Sequence, residues 1–259
     1  MRAAAPAAPS GLRGALAPGR WGGAAVGAGV AAAATFGFLL GSGTAPLWVA
    51  SLTAFAVAGV PWALKVRDDL RAYGVGVATL VAMLLAQGLH TVEHLVQVGQ
   101  VYLLDWPAGR SLGLITAANA EWIHLAWNLL VLVGVIVAMR HGMRSAWAWA
   151  LAIWAGLHTA EHAYLFVRYL QVTAEARQLG LGGLPVTQAL PGILGRDGLL
   201  AAQSWCGRIP GITDVSRVVV HFVWNAGEVV LLILAGRHYL VRLGSPVLPS
   251  GPRRPHPLD

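Results

Sequence analysis

Two heptapeptides carry much of the polar chemistry in an otherwise apolar chain. They are Gly88-Leu89-His90-Thr91-Val92-Glu93-His94 and Gly156-Leu157-His158-Thr159-Ala160-Glu161-His162, which differ only where Val92 becomes Ala160. On an α-helix, residues three and four apart share a face. Each H-x-x-E-H stretch therefore presents two imidazoles and a carboxylate together, the natural ligands of a transition-metal ion. Two further stretches, His124 to Asn128 and His221 to Asn225, share the pattern H-x-x-x-N. Glu121 extends the first of these by one turn, giving a stripe of Glu121, His124 and Asn128. His221, Asn225 and Glu228 form the matching stripe, which Asp214 prolongs in the other direction. The candidate metal ligands are His90, His94, Glu121, His124, His158, His162 and His221. Glu93 and Glu161 are the candidate catalytic acid–base groups, and Asn128 and Asn225 would orient imidazoles or hold water.

The elements that must position these residues follow from composition. Of 259 residues, 56% are hydrophobic and only 11% charged, less than half the charge of an average soluble domain. The single cysteine, Cys206, excludes a disulfide framework and a cysteine-built zinc site. Six apolar runs, Trp21–Leu40, Leu47–Leu64, Tyr73–Leu104, Ala120–Met139, Ala146–Leu170 and Ile212–Val241, read as membrane spans. Arg2, Arg13 and Arg20 precede the first, Ala- and Gly-rich run, which also admits an uncleaved signal anchor.

Basic residues cluster at the start, at Lys65, Arg67 and Arg71, at Arg140 and Arg144, and beyond Arg237. The positive-inside rule places all of these in the cytoplasm, with both termini. Scattered between apolar runs, the net charge of +7 reads as a topology signal in a cell membrane, not a nucleic-acid surface. Trp21, Trp48, Trp106, Trp147 and Trp205 fall near span ends.

The expected fold is all-α: a polytopic membrane protein of six transmembrane helices. Spans three and four (73–140) repeat as spans five and six (146–241) in the same order. This is a parallel internal repeat that should build a four-helix core, with spans one and two bracing one side. The membrane domain covers 21–242, between tails 1–20 and 243–259 expected to be disordered. A long extracytoplasmic connection, 171–211, would lie over the site as a lid.

A charged side chain at a span centre costs roughly 2.5–3.5 kcal/mol, so four glutamates within the spans need partners. Interhelical hydrogen bonds worth about 0.6 kcal/mol each account for the His–Asn pairs but not for two carboxylate-bearing copies. Bundles that bind two metals use Glu-x-x-His on two helices. Glu121 and His124 fit that spacing, whereas Val218 stands where the matching glutamate of the last span would be.

The leading reading is an intramembrane site for iron, copper or zinc in the extracytoplasmic half. It would perform oxidoreductase chemistry on a membrane-soluble or extracytoplasmic substrate. The alternatives are transport of a metal ion or proton along a path begun by Glu228, and a membrane cytochrome with haem between His94 and His162 or between His124 and His221. The match of H-x-x-E-H to the inverzincin protease signature is coincidental, since those enzymes are soluble. The paired H-x-x-E-H and H-x-x-x-N spans, over about residues 75–240, resemble a bacterial family of multi-pass membrane proteins. The resemblance implies six spans and carries no activity.

Overall fold

Glycines and short polar stretches cut the apolar runs into helices, and the positions of these breaks set the fold. The structure, a computed structural model, describes residues 9, 11–181, 190–203, 209 and 213–244. In chain order the helices are α1 (Leu12–Leu16), α2 (Gly22–Gly41), α3 (Leu47–Tyr73), α4 (Val75–Tyr102), α5 (Glu121–Arg140), α6 (Ala146–Gln178) and α7 (Arg217–Gly244). No strand occurs among the described residues. Gly74, at φ +82°, ends α3 and starts α4 with no intervening loop, a backbone state that only glycine adopts readily. Tyr73, expected to open the third span, therefore closes α3. Ser145 accepts the amide of Ala148 at 3.2 Å and so caps the start of α6.

Five helical segments are long and apolar enough to cross a membrane: Gly19–Gly41, Leu47–Tyr73, Val75–Tyr102, Glu121–Arg140 and Arg217–Gly244. The fifth expected run is helical too, but α6 is not among these five. His158, Glu161, His162 and several tryptophans dilute its hydropathy, and it runs past the expected end at Leu170 to Gln178. The last helix starts at Arg217, later than Ile212, so Asp214 precedes it rather than extending its polar stripe. Within the expected N-terminal tail, Leu12–Leu16 forms a short helix whose Ala15 is buried in the core. Trp205, Cys206 and the tail from residue 245 onward lie outside the described residues.

Helix α4 packs on α5 and α7, and α6 packs on the same two, closing a four-helix ring; α3 leans on α4, with α2 outside it. One end of the ring is marked by Tyr239, whose hydroxyl donates to the carbonyl of His141 at 3.1 Å, next to Gly76. From that end upward the interior is apolar. Leu80 and Leu84 of α4, Val131 and Val135 of α5, Leu151 of α6, and Leu232 and Ala235 of α7 all belong to one buried cluster. Gly236 lets α7 approach closely, since a Cβ there would sit 2.8 Å from Leu80. The other half of the ring is polar.

Candidate metal centre

Four helices bring all six predicted histidines into that polar half. His90 and His94 come from α4, His124 from α5, His158 and His162 from α6, and His221 from α7. Their rings form one continuous cluster. Centroids lie 4.7 Å apart for His90–His94, 5.6 Å for His94–His124, 5.1 Å for His124–His162, 4.9 Å for His162–His221 and 4.9 Å for His158–His162. Each H-x-x-E-H pair places its two Nε2 atoms 3.2 Å apart. In addition, one nitrogen each from His90, His94 and His124 lies within 4.8 Å of the others, a triad that could hold a metal ion.

The surrounding amides fix which nitrogens are free. Asn119 Nδ2 donates to the Leu112 carbonyl at 2.6 Å, which can only accept. Asn119 Oδ1 must then accept from Gln97 Nε2 (2.8 Å), so Gln97 Oε1 accepts from His94 Nδ1 (2.9 Å). His94 therefore carries its proton on Nδ1, and its Nε2 lone pair faces His90. A parallel argument starts from Trp127 Nε1, a donor only, which binds Gln87 Oε1 at 2.9 Å. Gln87 Nε2 then donates to Glu228 Oε2 (2.5 Å) and Asn225 Oδ1 (2.7 Å). As a carboxylate, Glu228 in turn accepts a hydrogen bond through Oε1 from His158 Nδ1–H at 2.9 Å. A ligating histidine whose other nitrogen donates to a carboxylate or amide is the usual arrangement at a protein metal site.

Glu93 and Glu161 bond to loop amides and not to the imidazoles. Glu93 accepts the amides of Leu114 (2.9 Å) and Ile115 (2.8 Å), and Glu161 those of Ile193 (3.0 Å) and Leu194 (3.3 Å). Each carboxylate thus pins the loop that follows its helix, and glycine makes room for it. A Cβ on Gly113 or Gly192 would land on the glutamate oxygen. Glu121, expected as a ligand, pairs with Arg217 of α7 at 2.6 Å, while its second oxygen is buried without a partner. The amides of Asn128 and Asn225 each donate to a carbonyl one turn back, that of His124 (2.9 Å) and His221 (2.8 Å). They brace backbone more than imidazole, although Asn128 Oδ1 has no partner.

No protein-family model, curated protein or solved structure matches this chain. Its chemistry is therefore read from the site alone. An apolar cavity of about 480 Å³ opens beside the triad, lined by Leu52 and Phe55 of α3, Leu89 and the candidate acid–base residue Glu93 of α4, Ile123 of α5, and the rings of His90, His124 and Trp127. It lies within the size range of small-molecule pockets, about 300–1,000 Å³. In the second histidine pair, His158 and His162 are fully enclosed, and Trp224 stacks on His158 at 5.3 Å.

Sequence reasoning left Gln87, Asn119 and Arg217 without a role. Gln97 has no polar counterpart in the second half, where Leu165 stands. The loops' inward path had one sequence signal, the recurrence of Gly followed by two aliphatic residues at Gly113-Leu114-Ile115 and Gly192-Ile193-Leu194.

Proposed function

We propose that the chain is an integral membrane metalloprotein that binds iron, copper or zinc in the extracytoplasmic half of a six-span bundle. In it, α6 would be the additional span, and α4–α5 and α6–α7 the two copies of a parallel repeat. Three observations support the repeat: identical Nε2 spacing in both histidine pairs, glutamates that pin glycine-bearing loops in both halves, and asparagines bonded alike to the preceding turn. The observation that carries the functional reading is the histidine triad at the wall of an apolar cavity. His90, His94 and His124 would hold the ion, and with His90 and His124 on the cavity wall a substrate could reach it, as catalytic sites require.

The substrate class that fits is an apolar, membrane-soluble molecule entering past Leu52 and Phe55, and the reaction class is oxidoreduction. Iron or copper would supply the electron exchange there. The chain's own part is to hold His94 in one tautomer through Gln97, to hold His158 through Glu228, and to exclude water with Trp127 and the two pinned loops.

Transport is supported less well. Below Glu228, α7 turns Leu232, Ala235 and Tyr239 into an apolar core shared with α4, α5 and α6, so no polar route leads on among the described residues. A haem between His124 and His221 fits poorly as well, because these rings stack face to face, inclined by 18°, and do not aim nitrogens at a common centre.

Elemental analysis of the detergent-purified protein, with an optical spectrum, tests the proposal. Stoichiometric transition metal is expected, with loss from the triad in His90→Gln and His124→Gln. A metal-free preparation from metal-replete cells would reduce the cluster to a hydrogen-bond network, and a Soret band would replace the reading with a cytochrome.

A further inference from the structure

Resting on that reading of the site, we propose that the molecule it takes is a lipid alcohol: a single long hydrocarbon chain with its uncharged hydroxyl at His90, Glu93 and His124 and its tail between α3 and α4. The cavity beside the triad does not end at Phe55. A second cavity of about 550 Å³ adjoins it, and Phe55, Ala86 and Leu89 line both. It runs on past Gly59, Trp62 and Val66 of α3 and past Leu85 and Ala82 of α4. Numbers rise along α3 as they fall along α4, so the two cavities form one seam between the helices. Small residues keep the seam open, since a Cβ on Gly59 or Gly88 would meet nothing within 4 Å. From Glu93 to Ala82 the seam follows α4 for about 16 Å, at 1.5 Å per residue. Carbon–carbon bonds of about 1.5 Å at about 111° advance about 1.25 Å each, so about twelve or thirteen extended carbons fill it.

Polar groups mark only one end of this seam. His90, Glu93, His124 and Trp127 line the first cavity, whereas Trp62 alone among the residues lining the second has a polar side-chain atom. That asymmetry fits a molecule polar at one end and apolar along the rest. No lysine or arginine lines either cavity. A carboxylate or phosphate head would therefore be buried beside Glu93 with no counter-charge from the protein. A hydroxyl carries no such penalty. Each Glu93 oxygen accepts one loop amide and keeps a further lone pair for an O–H donor. Depth argues against an ordinary phospholipid. Glu93 lies about 13 Å along α4 from its end at Tyr102, whereas a phospholipid keeps its phosphate at the membrane surface.

The test is photolabelling of the full-length protein in phosphatidylcholine vesicles, with attachment sites mapped by peptide mass spectrometry. The probes are linear primary alcohols of about twelve carbons, with a diazirine either at the far end or close to the hydroxyl. The far-end probe should attach around Trp62–Val66 and Ala82–Leu85, and the near-hydroxyl probe around Leu52–Phe55 and Leu89–Glu93. Excess unlabelled alcohol should displace both, and the matching carboxylic acid should label the seam weakly. Gly59→Phe and Gly88→Leu, which fill the seam, should each cut far-end labelling about tenfold or more and leave bound metal unchanged. Circular dichroism and a single gel-filtration peak before reconstitution confirm that each variant is folded. Labelling spread equally over exposed Val26 and Val30 of α2 and Leu130 and Val133 of α5, undisplaced by the alcohol, overturns the proposal by showing ordinary bilayer chains in the seam. Equal labelling by the carboxylic acid overturns the uncharged hydroxyl end. Elemental analysis of the same samples separates the two readings. Bound metal with scattered labelling overturns the lipid alone, and ordered labelling of protein isolated without metal from metal-replete cells overturns the metalloprotein reading.

Discussion

Gly113 and Gly192 show how a single missing side chain positions a loop. Gly113 sits at φ +70°, and a Cβ at either glycine would collide with the glutamate oxygen that binds the neighbouring amides. Gly113→Ala and Gly192→Ala should each cost about 1–3 kcal/mol by overpacking, read as a lowered midpoint in detergent thermal unfolding. Gly156 is the internal control, since a Cβ there meets nothing within 4 Å. Gly156→Ala should leave the midpoint unchanged or raise it, by about 0.5–1 kcal/mol, as for any helix-interior glycine. Asn119 acts at longer range, orienting Gln97 and through it the His94 ring. Asn119→Ala should weaken metal binding at the triad about 10–100-fold, with little change in helix content. Unchanged affinity would show that the His94 tautomer does not depend on this chain of amides.

Among the elements, α5 and α7 are joined by the pair Glu121–Arg217, whose side chains are 0% and 14% exposed. Arg217 also donates to the Leu190 carbonyl at 3.3 Å, so the same guanidinium ties a loop to the helix ends. Removing one partner of a buried ion pair strands the other and costs about 3–5 kcal/mol, whereas replacing both by apolar groups of similar size is often neutral. Arg217→Met should therefore destabilise the protein strongly, and Arg217→Met combined with Glu121→Leu should recover most of the loss in the same unfolding assay. A double variant no better than the single would mean that the contact to Leu190 carries the effect. The sequence reading missed this pair because the two residues are far apart in the chain. Glu121 reads as a ligand, Arg217 has no assigned role, and no periodicity links them.

At the scale of the whole molecule, the ring of α4, α5, α6 and α7 is divided into an apolar half and a polar half. The apolar half drives close packing. The polar half gathers groups whose burial has to be compensated by one another or by bound ions. On the proposed six-span reading, both ends of the chain lie on one side of the membrane. Reporter fusions after residue 1 and after residue 259 should then give the same cytoplasmic signal, with the opposite signal from a fusion near Gly109. Opposite signals from the two ends would remove α6, or α2, from the set of spans.

Periodicity and repetition sufficed for the helices, for the clustering of six imidazoles and for the apolar setting. These depend on local spacing: residues three and four apart share a face wherever a helix forms, and two copies of one motif fold alike. The direction in which each carboxylate points was not local. Glu93 and Glu161 stand next to the candidate ligands His94 and His162, yet they turn to loop amides contributed from well beyond their own helices. Glu228, read as the start of a proton path, is bonded to His158 and Gln87, neither of them near it in the chain. A buried carboxylate takes whichever donors the packed chain brings within reach, and that depends on how the loops close over the helix ends. Only the tertiary structure decides it.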